Sequence, residues 1–179
     1  IEALKGGLGV TLMERIAKSN PQVVSLLKVQ YRMNEQIVKF SSDWFYGGEV
    51  QSAPEVKHRS ILDFDTPMEW IDTSELDFKE QFVGENFGRI NTDEAILSLQ
   101  TLQGYFTKIG KQHVLDEGID VAIISPYRAQ VQLLRKMLRD TPFFKPFRHL
   151  ISVNTVDGFQ GQERDVVLIS MVRANEQGE

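Results

Sequence analysis

Acids, amides and glycines crowd one stretch of this sequence, Ser152 to Asp165 (SVNTVDGFQGQERD). Asp157, Gln160 and Glu163 recur there every third residue, with Gly158 and Gly161 among them. The β-branched run Ile151 to Val156 leads into it as a buried strand, and Val166 to Ser170 leaves it as another. Carboxylates and amides at a strand end are placed where open α/β sheets hold ligands. The same residues equally fit a polar surface connection whose glycines supply positive φ.

Two further places carry groups suited to chemistry. Gln30-Tyr31-Arg32-Met33 falls where a strand-like run, Val23 to Val29, meets a helix. Asn34 is a good cap for that helix, which runs through Ile37, Val38, Phe40, Ser41 and Phe45 and closes at Gly47-Gly48. A tyrosine ring there can stack on a base, and a guanidinium can pair bidentately with phosphate. A half-buried tyrosine beside a surface arginine is the alternative. Farther on, Val121 to Ser125 reads as a buried strand broken by Pro126, and Tyr127 to Arg139 as a helix. Val131, Leu134 and Leu138 face inward with Met137 flanking, and Arg128, Arg135, Lys136 and Arg139 face outward. The N-terminus of that helix offers free N–H groups and a positive dipole end, a seat for a backbone phosphate. From Lys136 to His149, Lys145, Arg148 and His149 interleave with Phe143, Phe144 and Phe147. Such a mixture can bind single strands, but a packed connection with basic stems covering the rings is preferred.

Composition narrows the classes. With 179 residues, 41% hydrophobic and 25% charged, the chain suits one soluble domain carrying an elaboration. No apolar run approaches a bilayer span, so no membrane association is expected. Cysteine is absent and the three histidines are scattered, which argues against disulfides and metal sites and fits an intracellular setting, cytoplasmic or nuclear. A net charge of −5 means that any nucleic-acid contact must be local or shared with other parts of the protein. The chain begins at Ile1 and reads as a piece of a longer protein.

The elements that must position these residues alternate. Strands are expected near 24–29, 121–125, 151–156 and 166–170, and helices near 10–18, 34–45, 92–109 and 127–139. That order predicts an α/β fold with a mostly parallel sheet and helices on both faces. Gly6-Gly7-Leu8-Gly9 is followed by Val10-Thr11-Leu12, and no Gly-Lys-Ser/Thr occurs anywhere, so there is no Walker A loop. Leu8, Leu12 and Ile16, with Met13 beside them, instead mark a short helix ended by Asn20-Pro21. Residues 51–91 read as loop or short hairpin, with one strand at Met68 to Asp72. Asn91 and Glu94 form a capping box before a packing helix whose inner face is Ile96, Leu99, Leu102, Gln103, Phe106 and Ile109.

Gln30-Tyr31-Arg32-Met33, then Ser125-Pro126-Tyr127-Arg128-Ala129-Gln130, then Val153 to Asp165, taken in order, resemble the second RecA-like domain of superfamily 1 DNA/RNA helicases. The branch with senataxin, the nonsense-mediated-decay helicase and the replication nuclease-helicases looks most similar. Val172-Arg173-Ala174-Asn175-Glu176 and the helix from Gly9 to Arg15 extend the likeness over nearly the whole chain outside 51–91. It implies a RecA-like, P-loop NTPase-type fold over 1–179, with ATP and Mg²⁺ bound in a cleft shared with a first RecA-like domain. Tyr31 would stack on adenine with Gln30 beside it, and Arg32 would reach the γ-phosphate as an arginine finger. Glu163 and Gly161 would border the nucleotide. Thr155, Ser125, Pro126 and Tyr127 would hold single-stranded DNA or RNA, with Asp157 and Gln160 coupling the two ligands. The P-loop lysine and the Mg²⁺ ligands belong to the first domain and are missing here. The resemblance therefore implies a helicase or translocase in the parent protein and a chain inactive alone. The other class is a non-catalytic RecA-like module that binds nucleic acid or protein.

Overall fold

In the computed structural model, which describes residues 9–63, 66–84 and 88–174, the apolar runs sort into two units. Residues 1–60 with 65–68 make one, and 61–64 with 69–179 the other. Leu8, Asn175 and Glu176 lie outside the described residues, as do Gly6 and Gly7.

The first unit contains α1 (Leu12–Ser19), β1 (Val29–Gln30), α2 (Glu35–Tyr46), β2 (Gln51–Ser52) and α3 (Pro54–Lys57). Thr11 caps α1 by accepting the Glu14 N–H at 3.1 Å. Asn34 caps α2 as its sequence predicts, accepting the Gln36 N–H at 2.9 Å, and Gly47 at φ 60° ends it in the left-handed region. β1 pairs parallel with β2, Val29 opposite Gln51. The strand expected over 24–29 contracts to these two residues. Pro21–Val23 coils into a 3₁₀ turn instead, and Val24 and Leu27 are 56% and 84% exposed. Without a neighbouring strand or a core beneath them, apolar side chains alone do not make a ladder.

The second unit holds a hairpin and a parallel sheet. β3 (Gln81–Val83) and β4 (Gly88–Ile90) pair antiparallel. Then come α4 (Thr92–Ile109), α5 (Lys111–Asp116), β5 (Val121–Ile124), α6 (Arg128–Asp140), β6 (Ile151–Asn154) and β7 (Val166–Ile169). The sheet order is β6-β5-β7, all parallel, with Ile124 opposite both Asn154 and Ile169. This is the α/β arrangement with a parallel sheet that the alternation predicts, and it is consistent with the RecA-like fold that the resemblance implies. Val121, Ile123, Ile151 and Val153 meet Leu99, Leu102 and Phe106 of α4 and Val131, Leu134 and Leu138 of α6 in one core. Each fully buried Leu or Phe there contributes about 1.5–3 kcal/mol. Phe144 and Phe147 are buried in the same core, so the basic-aromatic stretch is a packed connection and not a stacking platform. On α4 the inner face takes Ala95 and Ser98, while Ile96 and Gln103 turn outward.

Two local expectations are corrected. No strand forms over Met68 to Asp72, where Met68 and Trp70 are 59% and 80% exposed. Asp72 instead accepts the Ser74 N–H at 2.9 Å, a turn that competes with a ladder and holds its carboxyl below the usual carboxylate range. The capping box is half made. Asn91 accepts the Glu94 N–H at 3.0 Å, but the Glu94 carboxylate accepts the Val172 N–H at 2.8 and 3.1 Å rather than turning back to its own helix.

Candidate functional site

Parallel pairing decides where the candidate residues of the second unit stand. β5 and β6 run the same way in register, so the residues just beyond Ile124 and Asn154 emerge at one sheet edge. Ser125 and Thr155 are therefore neighbours, with the Ser125 N–H donating to the Asn154 carbonyl at 3.2 Å. Ser125 is fully buried, and its hydroxyl accepts the Tyr127 N–H at 3.4 Å. Pro126 and Tyr127 form the outer part of this turn, and Tyr127 stands at the N-cap of α6 without a side-chain cap.

Beyond β6 the chain tightens at once. Asn154 Oδ1 accepts the Thr155 N–H at 2.9 Å, the Thr155 carbonyl accepts the Gly158 N–H at 3.0 Å, and Asp157–Phe159 form a 3₁₀ turn. A Cβ on Gly158 would lie 2.4 Å from the Asn154 amide group, so only glycine lets that side chain lie against the turn. Gly161 takes φ 79° in open space, a conformation that glycine adopts without strain.

β7 is parallel to β6, so the intervening segment is a crossover and not a hairpin turn. Only Thr155 to about Gln160 stands at the carboxyl edge. The segment then returns to the amino edge, where Asp165 and Asp120 exchange backbone bonds of 2.9 and 3.0 Å through their carboxylates. Helix α6 occupies the core face, and the right-handed rule sends this second crossover across the opposite face. The space beneath it agrees: Ala122, Ile124 and Val167 form its floor, with Asp157, Gln160 and Glu163 at its wall, in a cleft of about 480 Å³. The three polar residues spaced by three in the sequence thus share one cleft.

Tyr31 and Arg32 belong to the first unit. Gln30 organises them. Its Oε1 accepts the N–H groups of Arg32 and Met33 at 2.8 and 2.9 Å, and its Nε2 donates to the Met33 carbonyl and Ser52 Oγ at 2.6 and 2.5 Å. Tyr31 is 69% exposed, and Arg32 is exposed with it. A rigid turn thus presents a planar ring and a guanidinium outward together.

Gln130, the last residue of the Ser125–Gln130 segment, has a role that its motif does not announce. It is fully buried, with Oε1 accepting the Asn91 N–H at 2.9 Å and Nε2 donating to the Asn91 carbonyl and Ser170 Oγ at 3.0 and 3.1 Å. It ties the start of α4 to the end of β7. The signal was a lone amide on the apolar side of a helix. Val172, fully buried at φ 72°, is held in that rare conformation by Glu94 and by the Asn91 amide at 3.3 Å. Among the described residues no group of acids and histidines is arranged for a metal, and no helix is long and apolar enough to cross a membrane.

The parallel sheet, its two strand-end turns and the crossover make an α/β domain consistent with the RecA-like fold, and the relatives below, named as helicases, support a superfamily 1 helicase RecA-like domain. The chain belongs to the AAA domain family, whose model matches residues 8–179. It is 34% identical over 196 residues to the DNA polymerase alpha-associated DNA helicase A of Saccharomyces cerevisiae, covering 96% of this chain and 26% of that protein. It is 34% identical over 191 residues to the mouse DNA-binding protein SMUBP-2, covering 99% of this chain and 18% of that protein. It is 30% identical over 192 residues to the DNA replication ATP-dependent helicase/nuclease dna2 of Schizosaccharomyces pombe, covering 96% and 13% respectively. The chain spans about a quarter or less of the length of these relatives.

Proposed function

We propose that this chain is the second motor domain of an ATP-dependent helicase or translocase acting on DNA or RNA. The observation that supports this best is the common sheet edge. Pro126-Tyr127 and Thr155, separated in sequence by α6, the connection after it and β6, emerge side by side, with Ser125 buried beneath and shaping the Tyr127 turn. A hydroxyl, a helix N-terminus and a tyrosine at one edge suit a strand's backbone, a sequence-tolerant mode of binding. Asp157 and Gln160 begin at that edge and line the cleft containing Glu163, so a shift in one ligand can be felt by the other.

Tyr31 and Arg32 carry the nucleotide side of the proposal. An exposed ring suits stacking on adenine, and an arginine set by a rigid turn suits the charge that develops on a transferring phosphoryl group. Gln30 acts through them, since its amide is engaged in shaping the turn. Gly161 and Glu163 would border the nucleotide, and the P-loop and Mg²⁺ ligands would come from the first RecA-like domain. Relatives named as helicases support this reading.

Thr155→Ala in the full-length parent tests the strand-binding half. The expected result is a higher nucleic-acid concentration for half-maximal ATPase stimulation, by about ten-fold for one lost contact to a charged group. An unchanged stimulation curve would remove Thr155 from the interface.

A further inference from the structure

β6 is the outer strand of the sheet order described, and beside it runs a cleft of about 440 Å³. Its walls carry Arg135, Arg139, Arg148 and Arg164, together with Asn154, Phe159 and Gln162, and no acid. In a chain of net charge −5 this is a local concentration of positive charge. Arg135 donates from Nε and Nη2 to the Val153 carbonyl at 2.9 and 2.6 Å, so it is fixed against the strand by a neutral partner. Arg148 is likewise held by a neutral group, the Arg139 main-chain carbonyl. Arg139 is exposed and pairs with no acid among the described residues. Of the four, Arg164 alone has an acidic partner among the described residues, Asp120 at 3.5 Å, and it lies 5.6 Å over the Phe159 ring.

We propose that this cleft is a second nucleic-acid contact that takes the phosphodiester backbone of a single strand. It rests on the reading above, because the cleft is continuous with the Thr155 turn: Asn154 and Gly158 belong to both. Guanidinium groups without acidic partners match phosphate oxygens in charge and fork geometry. A phenylalanine on the wall, flanked by two amides, suits an unstacked base better than a carboxylate peptide. The acidic charge of the whole chain confines strand binding to such a local surface.

Fluorescence anisotropy of fluorescein-labelled oligothymidylate and oligouridylate, titrated with the 179-residue chain across a salt series, tests the cleft. The paired variant Arg139→Glu with Arg148→Glu is expected to weaken binding about ten-fold or more. It should also flatten the logarithmic salt slope by about 1.4, at about 0.7 per phosphate contact on a single strand. Arg139→Lys with Arg148→Lys should retain the slope, and Thr155→Ala should weaken binding with the slope kept, because a hydroxyl releases no counterion. Should the double reversal unfold, Arg139→Gln at an exposed position carries the test and should lower the slope by about 0.7. An unchanged slope in the arginine variants, with Thr155→Ala still weakening binding, overturns the cleft and leaves the helicase reading intact. Failure of the unmodified chain to bind either oligonucleotide overturns the cleft as well. Competition by polyglutamate as effective as by oligonucleotide at equal charge would reassign it from nucleic acid to acidic protein.

Discussion

Gln130 shows how a buried amide can matter more than an exposed charge. Both of its polar atoms are used, and the groups they serve, the Asn91 N–H and carbonyl, are themselves buried. Gln130→Ala leaves that pair unsatisfied, and the expected loss is about 2 kcal/mol in denaturant unfolding, with Gln130→Glu also destabilising because a carboxylate cannot donate to the Asn91 carbonyl. Gly161 is a case of conformation without packing. A Cβ there meets nothing within 4 Å, yet φ is 79°. Gly161→Ala should therefore cost about 1 kcal/mol in stability through strain alone, measured by the same unfolding curves. The positive φ of a turn glycine is legible in sequence, whereas the partners of the buried polar groups are not. Glu94 reads as the arm of its own helix cap, and its real partner, the Val172 N–H, is 78 residues away. Local spacing carries no information about a bond of that span.

Among elements, the strands that sequence identifies well are those buried on the core side by helices. Val121 to Ile124, Ile151 to Asn154 and Val166 to Ile169 appear where apolar runs predict them, and α4 spans its expected 92–109. Val24 to Leu27 and Met68 to Asp72 look similar on paper and form no ladder, because no strand supplies a partner among the described residues, and pairing begins only where the Lys28 carbonyl accepts the Gln51 N–H. The segment after β6 was legible in its residues and not in its path. Its acids and glycines suggested a turn at one strand end, whereas the parallel pairing of β7 makes it cross the sheet. Its far end is tied down by Asp120, which accepts the Asp165 N–H and approaches Arg164. Asp120→Ala should loosen that end by about 1 kcal/mol. Hydrogen exchange should report about five-fold lower amide protection over residues 162–166, with little change in α4. Equal loosening of both would show that the crossover opens only with the whole unit.

At the scale of the molecule, the proposed activity needs more than this chain. It has no Walker A loop in its 179 residues, and its relatives are about four or more times longer. The pure chain is expected to show no ATP hydrolysis with or without single-stranded nucleic acid, in a phosphate-release assay at protein concentrations where oligonucleotide binding is seen. The candidate site's motifs stand out in sequence because they are short, ordered and polar. Which of its members face outward was not legible there: Ser125 is buried, Gln30 serves its own turn, and Tyr31 and Arg32 are presented. That last pair carries the central claim. The most direct measurement is the steady-state, nucleic-acid-stimulated ATP turnover of the full-length parent bearing Arg32→Ala, alongside nucleotide affinity. An arginine finger predicts turnover lower by on the order of a thousand-fold with affinity much less affected. Turnover equal to that of the unmodified parent would contradict it.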